Sequence, residues 1–258
     1  MRVQILASGS KGNLIYVAAG RARLLVDLGL SCREAERRLT AAGIDPGGLT
    51  AILVTHSHTD HLRGVRVFSR KHQTPVYLTH GTHQEVRALA ADWFAVKLFK
   101  PGRALNFGDL QVQPFAIPHE TEDPVAFTFT SAAGKFGLAT DLGHATAGVR
   151  QALAACRLLM VEANHDEQML WDGPYPGYLK RRVASNYGHL SNAQCAQLVR
   201  QLAHPGLQGV ILGHLSEQNN TPAKALAAIR PALAQSRLLK IPLKAASQYE
   251  PLPPIVLK

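Results

Sequence analysis

The chain has 258 residues, of which 46% are hydrophobic and 18% charged, a composition typical of an ordinary globular protein. No apolar run approaches the ~20 residues that a membrane span needs, and the first residues run into Ser8-Gly9-Ser10 without the apolar core of a signal peptide. We therefore expect a cytoplasmic protein without a membrane partner.

Charge favours one class of partner. Lysine and arginine outnumber aspartate and glutamate by 28 to 18, which gives a net charge of +10 with neutral histidines. A field of this sign attracts polyanions, so nucleic acid is the favoured partner, although total charge alone is weak support.

Cys32, Cys156 and Cys195 are far apart and lack Cys-x-x-Cys spacing. We expect neither a disulfide framework nor a thiolate zinc site from them, and interpret them as small apolar residues.

Short apolar runs rich in β-branched residues predict strands. In chain order these are residues 3–7, 14–18, 23–26, 51–54, 76–79, 125–130, 136–139, 158–162, 210–212 and 238–241. Helical spacing predicts helices at 81–91, 191–203 and 221–234, and a capping box at Ser31 and Glu34 opens another that Gly43 closes. The pattern predicts an α/β fold of two mixed β-sheets covered by helices. Because no Pro/Gly/Ser linker divides the chain, we expect one domain, 1–258.

A histidine cluster follows the apolar run 51–54. Residues 56 to 61 read His56-Ser57-His58-Thr59-Asp60-His61, which places four potential metal ligands in six positions. A histidine-rich surface turn is the alternative interpretation, but a surface seldom needs this spacing. Imidazoles and carboxylates without thiolates suit zinc, manganese or iron.

Three more potential ligands stand after apolar runs: His119 after 115–118, Asp141 after 137–140 and His214 after 210–213. Seven ligands exceed what one ion needs, so two ions that share a bridging carboxylate are the economical interpretation. The alternatives are that His119 and His214 are isolated loop histidines and that Asp141 caps a helix near Thr146.

This pattern resembles the metallo-β-lactamase superfamily, whose αββα sandwich places such loops along one edge. Further motifs are similar to the YycJ (WalJ) family: LASGSKGN at 6–13, NYGHLSN at 186–192 and GHLSEQNN at 213–220. The similarity extends from residue 3 to about residue 222.

Only 22 positions separate His119 from Asp141 and 73 separate Asp141 from His214. This spacing leaves no room for a transfer-RNA-processing arm or a β-CASP insertion.

The resemblance implies a role for each ligand. The first ion would be held by His56, His58 and His119, the second by Asp60, His61 and His214, and both by Asp141. Asp27 would orient a ligand from below the metals.

Catalytic roles are also implied. Asp60 would orient the attacking hydroxide. Glu162 and His189 resemble the pair that transfer-RNA 3′-processing members use beside the scissile phosphate, with His189 as a proton donor. The alternative is that His189 merely precedes a helix that begins at Ser191.

Substrate contacts are expected from the basic run Lys180, Arg181 and Arg182, which follows an aromatic-rich stretch and precedes His189. A solvated helix face is the alternative. Asn186, within the 186–192 motif, and His165 are further candidates, and His165 is equally consistent with a loop that is salt-bridged through Asp166.

The expected function is that of a phosphodiesterase dependent on two divalent ions, zinc or manganese. The resemblance makes a 5′-to-3′ DNA exonuclease the specific expectation, with DNA favoured over RNA. One rival is a hydrolase of the same fold that acts on a small thioester, lactam, lactone or cyclic phosphate. Another is a non-catalytic nucleic-acid-binding module that retains metals for structure.

Overall fold

Two seven-stranded sheets form the centre of the computed structural model, which describes residues 1–258. In chain order the strands are β1 (Arg2–Ala7), β2 (Leu14–Ala19), β3 (Ala22–Val26), β4 (Ala51–Leu53), β5 (Val76–Thr79), β6 (Val96–Phe99), β7 (Leu105–Phe107), β8 (Leu110–Ala116), β9 (Val125–Ser131), β10 (Gly134–Ala139), β11 (Leu158–Glu162), β12 (Gly209–Gly213), β13 (Leu243–Ala245) and β14 (Ile255–Val256).

Both sheets are mixed, as predicted. The first has the order β14-β1-β2-β3-β4-β5-β6 and the second β13-β12-β11-β10-β9-β8-β7. Pairing is antiparallel from β14 to β3 and from β7 to β10, and parallel from β3 to β6 and from β10 to β13. In the parallel half of each sheet, crossover segments join successive strands, because parallel neighbours cannot be joined by a hairpin.

Ten α-helices accompany the sheets. They are α1 (Cys32–Ala41), α2 (Thr59–Leu62), α3 (Val65–His72), α4 (His80–Glu85), α5 (Arg87–Ala90), α6 (Ala147–Leu153), α7 (Glu167–Asp172), α8 (Gly177–Val183), α9 (Asn192–Leu202) and α10 (Pro222–Gln235). None has the length and apolar character needed to cross a bilayer.

Side-chain caps fix the starts of the longer helices. Ser191 caps α9 in a complete capping box with Gln194, and Thr221 caps α10. Ser31 accepts a hydrogen bond from the Glu34 backbone, but the Glu34 carboxylate binds arginines instead of returning to Ser31. The second half of the predicted capping box at Ser31 was therefore wrong.

The central strands bury both faces, which explains their uninterrupted apolar runs. In β4, Ala51 and Leu53 pack between the sheets, whereas Ile52 packs with residues of α1 and α3. In β11, Met160 packs between the sheets and Leu159 packs with residues of α9 and α10. Three apolar layers thus separate helix, sheet, sheet and helix, and the expected αββα sandwich is confirmed.

Two predicted elements were wrong. The predicted strand at 238–241 is a turn, because Arg237 has a φ of 58° and the Leu238 N–H donates to Leu233 O at 2.8 Å as α10 ends. Pairing with β12 begins only at Pro242, whose carbonyl accepts from Val210 at 2.9 Å. The single helix predicted at 81–91 is interrupted at Val86, which has non-helical dihedrals and separates α4 from α5.

Candidate metal centre

Loops after strands of both sheets build the site. Asp27 follows β3 and the segment 56–61 follows β4 in the first sheet, while His119, Asp141 and His214 follow β8, β10 and β12 in the second. Parallel strands place their carboxyl ends at one edge of a sheet. The two sets of loops therefore meet at one edge of the sandwich.

Backbone strain accompanies this meeting point. Asp27, Asp141 and His214 adopt left-handed conformations with φ values of 58°, 57° and 53°. Each such non-glycine residue costs on the order of 1–3 kcal/mol and persists only where the surroundings impose it. In these conformations all three side chains lie in the site.

Three imidazoles form the first group of potential ligands. His56 Nε2 lies 3.0 Å from His58 Nδ1, and His119 Nε2 lies 3.3 Å from the same nitrogen. Burial lowers the pKa of all three imidazoles. They are therefore neutral near pH 7 and keep lone pairs for a cation.

The second group shares a carboxylate with the first. Asp60 Oδ2 lies 3.3 Å from His214 Nε2 and 3.4 Å from His61 Nε2. Asp141 stands between the groups, with Oδ2 3.3 Å from His61 Nε2 and Oδ1 4.0 Å from His119 Nε2. The Asp141 carboxylate thus reaches both groups.

These residues fit divalent ions. Tetrahedral ligands at ~2.0–2.1 Å from one ion stand ~3.3 Å apart, which matches separations of 3.0, 3.3 and 3.4 Å within the two groups. Asp141 Oδ2 is buried without a hydrogen bond, a state that native proteins seldom leave uncompensated. A donor set of imidazole and carboxylate suits zinc, manganese or iron.

A hydrogen-bond network orients these imidazoles. Asp27 Oδ2 lies 2.7 Å from His61 Nδ1, and Asp27 Oδ1 accepts from the Thr55 N–H at 2.9 Å. Thr55 Oγ1 lies 2.9 Å from His56 Nδ1. Such contacts fix the ring orientation of a ligand. Asp27 is thus placed for the expected orienting role, whereas Thr55 was missed because its only sequence signal is its position before His56.

The loop between β1 and β2, residues 8–13, supports the site from the first sheet. Asn13 donates its backbone N–H to Asp60 O at 2.8 Å, and its side-chain nitrogen lies 3.1 Å from His61 Nε2. A Cβ on Gly29 would lie 1.6 Å from Asp60 O, so only glycine fits there. The motif marked Asn13, but its spacing did not show a contact with His61.

Glu162 joins the second group to His189. Its Oε1 lies 2.9 Å from both His189 Nδ1 and His214 Nδ1, and its Oε2 accepts from the Leu142 and Leu190 N–H groups at 2.9 and 3.0 Å. Burial opposes ionisation of Glu162, but the charge and hydrogen bond of His189 outweigh it and hold the carboxyl pKa below its usual range. Burial likewise opposes charging of His189, and the Glu162 charge outweighs it and raises the pKa of His189.

A cleft of about 370 Å³ opens over these residues. Of the thirteen residues that line it, only Leu179 and Val183 are hydrophobic. The others are Ser10, His58, Thr59, Asp60, His119, Glu120, Asp141, Arg182, Gly188, His189 and His214. Arg182 Nε donates to the Glu120 carboxylate within the cleft. Most of the lining residues are therefore polar or charged, and one arginine stands beside the candidate metal centre.

Comparison with known proteins identifies the family. The model of the beta-lactamase superfamily domain matches residues 22–214. The chain belongs to the metallo-β-lactamase superfamily. It is 33% identical over 222 residues to exodeoxyribonuclease YycJ of Bacillus anthracis, covering 85% of this chain and 84% of YycJ. It is also 33% identical over 241 residues to exodeoxyribonuclease WalJ of Streptococcus pneumoniae, covering 92% of this chain and 90% of WalJ.

A solved structure shares the fold of this YycJ-like chain. The metallo-β-lactamase fold protein YhfI from Bacillus subtilis superposes with a TM-score of 0.73 at 14% identity, covering 97% of this chain and 98% of YhfI. The family and the clustered ligands make this member of the superfamily a metal-dependent hydrolase.

Of the five substrate-binding candidates in this metallo-β-lactamase-fold chain, only Arg182 lines the cleft. Lys180 donates its ammonium to Trp171 O, and Arg181 is exposed. Asn186 is exposed, and its carbonyl lies 3.0 Å from His144 Nδ1.

His165 is not at the cleft surface. It is only 2% exposed, and its Nδ1 is buried without a hydrogen bond. His165 forms a β-bridge with Ser191 and does not line the cleft, so a direct substrate contact from His165 stays a prediction without support from the cleft lining. The alternative role of Asp141 as a helix cap is also excluded, since Thr146 caps α6.

Proposed function

We propose that this protein is a two-metal phosphodiesterase that degrades nucleic acid, and that its specific activity is that of a 5′-to-3′ DNA exonuclease. The observation that carries the proposal is the single carboxylate, Asp141, that reaches both ligand groups at the floor of a polar cleft. The exodeoxyribonuclease names of YycJ and WalJ, matched over most of their length, support DNA over RNA.

We assign the ligands as the resemblance implies. His56, His58 and His119 would hold one ion and Asp60, His61 and His214 would hold the other, with Asp141 shared by both groups, and the ions would be zinc or manganese. When bound, such a pair supplies an activated water and charge stabilisation for an in-line displacement at phosphorus.

Three side chains of the cleft have separate proposed roles: orienting the water, donating a proton and contacting a phosphate. Asp60, which is 20% exposed at its side chain, accepts a hydrogen bond from the attacking water and orients it toward the phosphorus. His189 Nδ1 is held by Glu162, so Nε2 is the ring nitrogen that remains to donate a proton to the departing 3′-oxygen. Arg182 contacts a phosphate oxygen of the strand.

The acyl-substrate rival has less support. A pocket for a small organic molecule is usually lined mainly by hydrophobic side chains, whereas only two of the thirteen residues that line this cleft are hydrophobic. Nitrocefin, S-lactoylglutathione and bis(p-nitrophenyl) phosphate assayed side by side separate these chemistries. Turnover restricted to the first two would exclude a nuclease.

The direct test uses single- and double-stranded DNA and RNA, labelled at either end, in a panel of divalent ions. We expect mononucleotide release from the 5′ end of DNA and complete loss of cleavage in His61→Ala. The matched control is His80→Ala, because His80 is an exposed histidine of α4 that contacts Gln84 outside the site. Full cleavage by His61→Ala contradicts the assignment, and salt-sensitive DNA binding without cleavage supports the non-catalytic rival.

A further inference from the structure

We infer that Cys32, Glu36 and His72 form a zinc site that joins α1 to α3, separate from the candidate metal centre. We call these three residues the α1–α3 cluster. The inference does not depend on the proposed function, because none of the three residues lines the cleft or belongs to the two ligand groups at its floor.

The three potential ligand atoms of the cluster lie close together. Glu36 Oε1 lies 3.5 Å from Cys32 Sγ and 2.7 Å from His72 Nε2, and all three atoms lie within 4.8 Å of one another. Tetrahedral ligands at ~2.1 and ~2.3 Å from one zinc ion stand ~3.4–3.6 Å apart. The thiol and the carboxylate already have this separation, and the imidazole has to move by less than about 1 Å.

The fold holds each of these side chains in position. Cys32 and Glu36 stand four positions apart in α1, so they share one face of this helix. His72 is the last residue of α3, and its ring centroid lies 4.4 Å from that of buried Phe68. A Cβ on Gly64 would lie 3.2 Å from Cys32 N, so the residue before α3 packs against the start of α1. The ligands are therefore brought together by packed backbone.

The donor set favours zinc over magnesium or calcium. Thiolate and imidazole are ligands that zinc prefers, whereas magnesium and calcium bind oxygen. Three protein ligands leave a fourth position, which solvent reaches because the side chains of His72 and Glu36 are 16% and 22% exposed. A coordinating thiol is deprotonated by the ion, so the proton of Cys32 passes to solvent as zinc binds.

The charges in the cluster suit a divalent cation. The hydrogen bonds of Lys71 and His72 lower the pKa of Glu36 to about 2, so its carboxylate is charged at neutral pH. Burial and the Glu36 charge raise the pKa of Cys32 to about 11. A thiolate beside this carboxylate is therefore unfavourable unless a cation binds both groups.

Lys71 is the cation that already contacts Glu36. Its Nζ lies 2.8 Å from Glu36 Oε1 and 3.1 Å from Oε2. The Lys71 side chain is 58% exposed, so its ammonium is able to stay on Oε2 when zinc takes Oε1. The carboxylate thus has one oxygen for each cation.

The proposed site departs from the sequence-based expectation of no thiolate zinc site. Cys32 and His72 are 40 positions apart, from 32 to 72, so the cluster forms only when α3 packs against α1. Of the three cysteines, only Cys32 belongs to a group of three potential ligands. A thiolate signal from a bound metal would therefore report this site alone.

The test uses cobalt as a spectroscopic substitute for zinc in the metal-free protein. Cobalt bound to a thiolate gives a near-ultraviolet charge-transfer band, and the ligand groups of the candidate metal centre contain no thiol. We expect the wild type to develop this band on titration with Co²⁺ and to lose it when Zn²⁺ is added. Cys32→Ser should show no band, and its zinc content after dialysis should be one ion per chain lower.

Two further variants test the other ligands. Contacts around a metal site already change its affinity by about 10- to 100-fold, so loss of a direct ligand should weaken cobalt binding by about 100-fold or more. We expect this loss in Glu36→Gln and in His72→Gln, with circular dichroism as the check on folding. Cys156→Ala and His80→Ala are the matched controls, because neither residue belongs to a ligand group, and both should bind cobalt as the wild type does.

The outcomes separate a metal site from a hydrogen-bonded cluster. No band in the wild type, or an unchanged band in Cys32→Ser, would overturn the inference. Unchanged cobalt affinity in either Glu36→Gln or His72→Gln would also overturn it, because the three residues would then not act together. His61→Ala, which alters the candidate metal centre, should keep the band. If the wild type shows the band and cleaves no nucleic acid, the proposed function fails and the zinc site stands.

Discussion

The Glu162 carboxylate lies 2.9 Å from His189 Nδ1 and is completely buried, while the His189 side chain is 20% exposed at the cleft. The same oxygen of Glu162 lies 2.9 Å from His214 Nδ1. One carboxylate thus orients the proposed proton donor and a proposed metal ligand together. Movement of either imidazole would alter the hydrogen bonds of the other.

The first prediction concerns His189 as a proton donor. We expect His189→Ala to lower kcat on DNA by about 10²- to 10⁴-fold, the usual contribution of a positioned acid. With bis(p-nitrophenyl) phosphate the loss should be much smaller, because p-nitrophenolate leaves without a proton. Steady-state kinetics on both substrates give the comparison, with metal content measured in parallel. Equal losses on the two substrates would assign His189 to metal or substrate positioning instead.

The second prediction concerns the ion pair of Glu120 and Arg182 in the cleft. Glu120→Gln removes a negative charge that repels phosphate and frees the Arg182 guanidinium. We therefore expect KM for an oligonucleotide to fall about three- to ten-fold at ~50 mM salt and the difference to shrink at ~200 mM. Glu85→Gln, an exposed glutamate of α4, is the matched control. A higher KM in Glu120→Gln would mean that the carboxylate holds Arg182 in its productive position.

The sequence predicted the buried half of this fold well and its edges poorly. β3, β4, β10, β11 and β12 were expected within one or two residues, because burial on both faces leaves an uninterrupted apolar run. The four edge strands β6, β7, β13 and β14 were missed or misplaced, and the inner strand β8 was also missed. An edge strand is partly exposed, so its pattern is weak and its position depends on the partner strand.

The site likewise contains residues that the sequence predicted and residues that it missed. Close spacing marked the segment 56–61, and strand ends marked His119, Asp141 and His214. Thr55 and Gly29 were missed because their roles arise from long-range contacts with Asp27 and Asp60. Sequence spacing also did not show that His165 is buried in a β-bridge with Ser191 and does not line the cleft.

The third prediction uses the thiols. Burial raises the pKa of Cys32 and of Cys156 to about 11 and raises that of Cys195 still further. Because the thiolate is the reactive form, we expect no reaction with Ellman's reagent at about pH 8 in the folded protein and three reactive thiols in guanidinium. Rapid reaction of one thiol in the folded state would contradict this.

The thiols also make stability depend on pH. The pKa of Cys156 in the folded state, about 11, lies above its usual value of 9.0. The thiol therefore favours the folded state fully below pH 9.0, and this contribution is lost as the pH rises toward about 11. Urea midpoints should therefore fall between about pH 9 and pH 11, and Cys156→Ala should show a smaller fall than wild type.

The fourth prediction concerns Arg38, whose side chain is 7% exposed. Its guanidinium donates to Leu6 O at 2.7 Å, to Gln248 O at 3.0 Å and to Glu34 Oε1 at 2.6 Å. It therefore joins α1 to the end of β1 and to the C-terminal segment. Arg38→Met keeps most of the apolar stem but leaves buried carbonyls without a donor, and we expect a loss of about 2–4 kcal/mol in the free energy of unfolding.

Arg37 provides the matched control for Arg38, because it binds the same Glu34 carboxylate from a side chain that is 64% exposed. An exposed pair contributes little, so Arg37→Met should change the free energy of unfolding by less than about 1 kcal/mol. Arg38→Lys should recover part of the loss, since one ammonium cannot reproduce the fork of a guanidinium. Urea denaturation of the three variants gives the measurement. Equal losses in Arg37→Met and Arg38→Met would show that Glu34, and not the two backbone carbonyls, is the partner that matters.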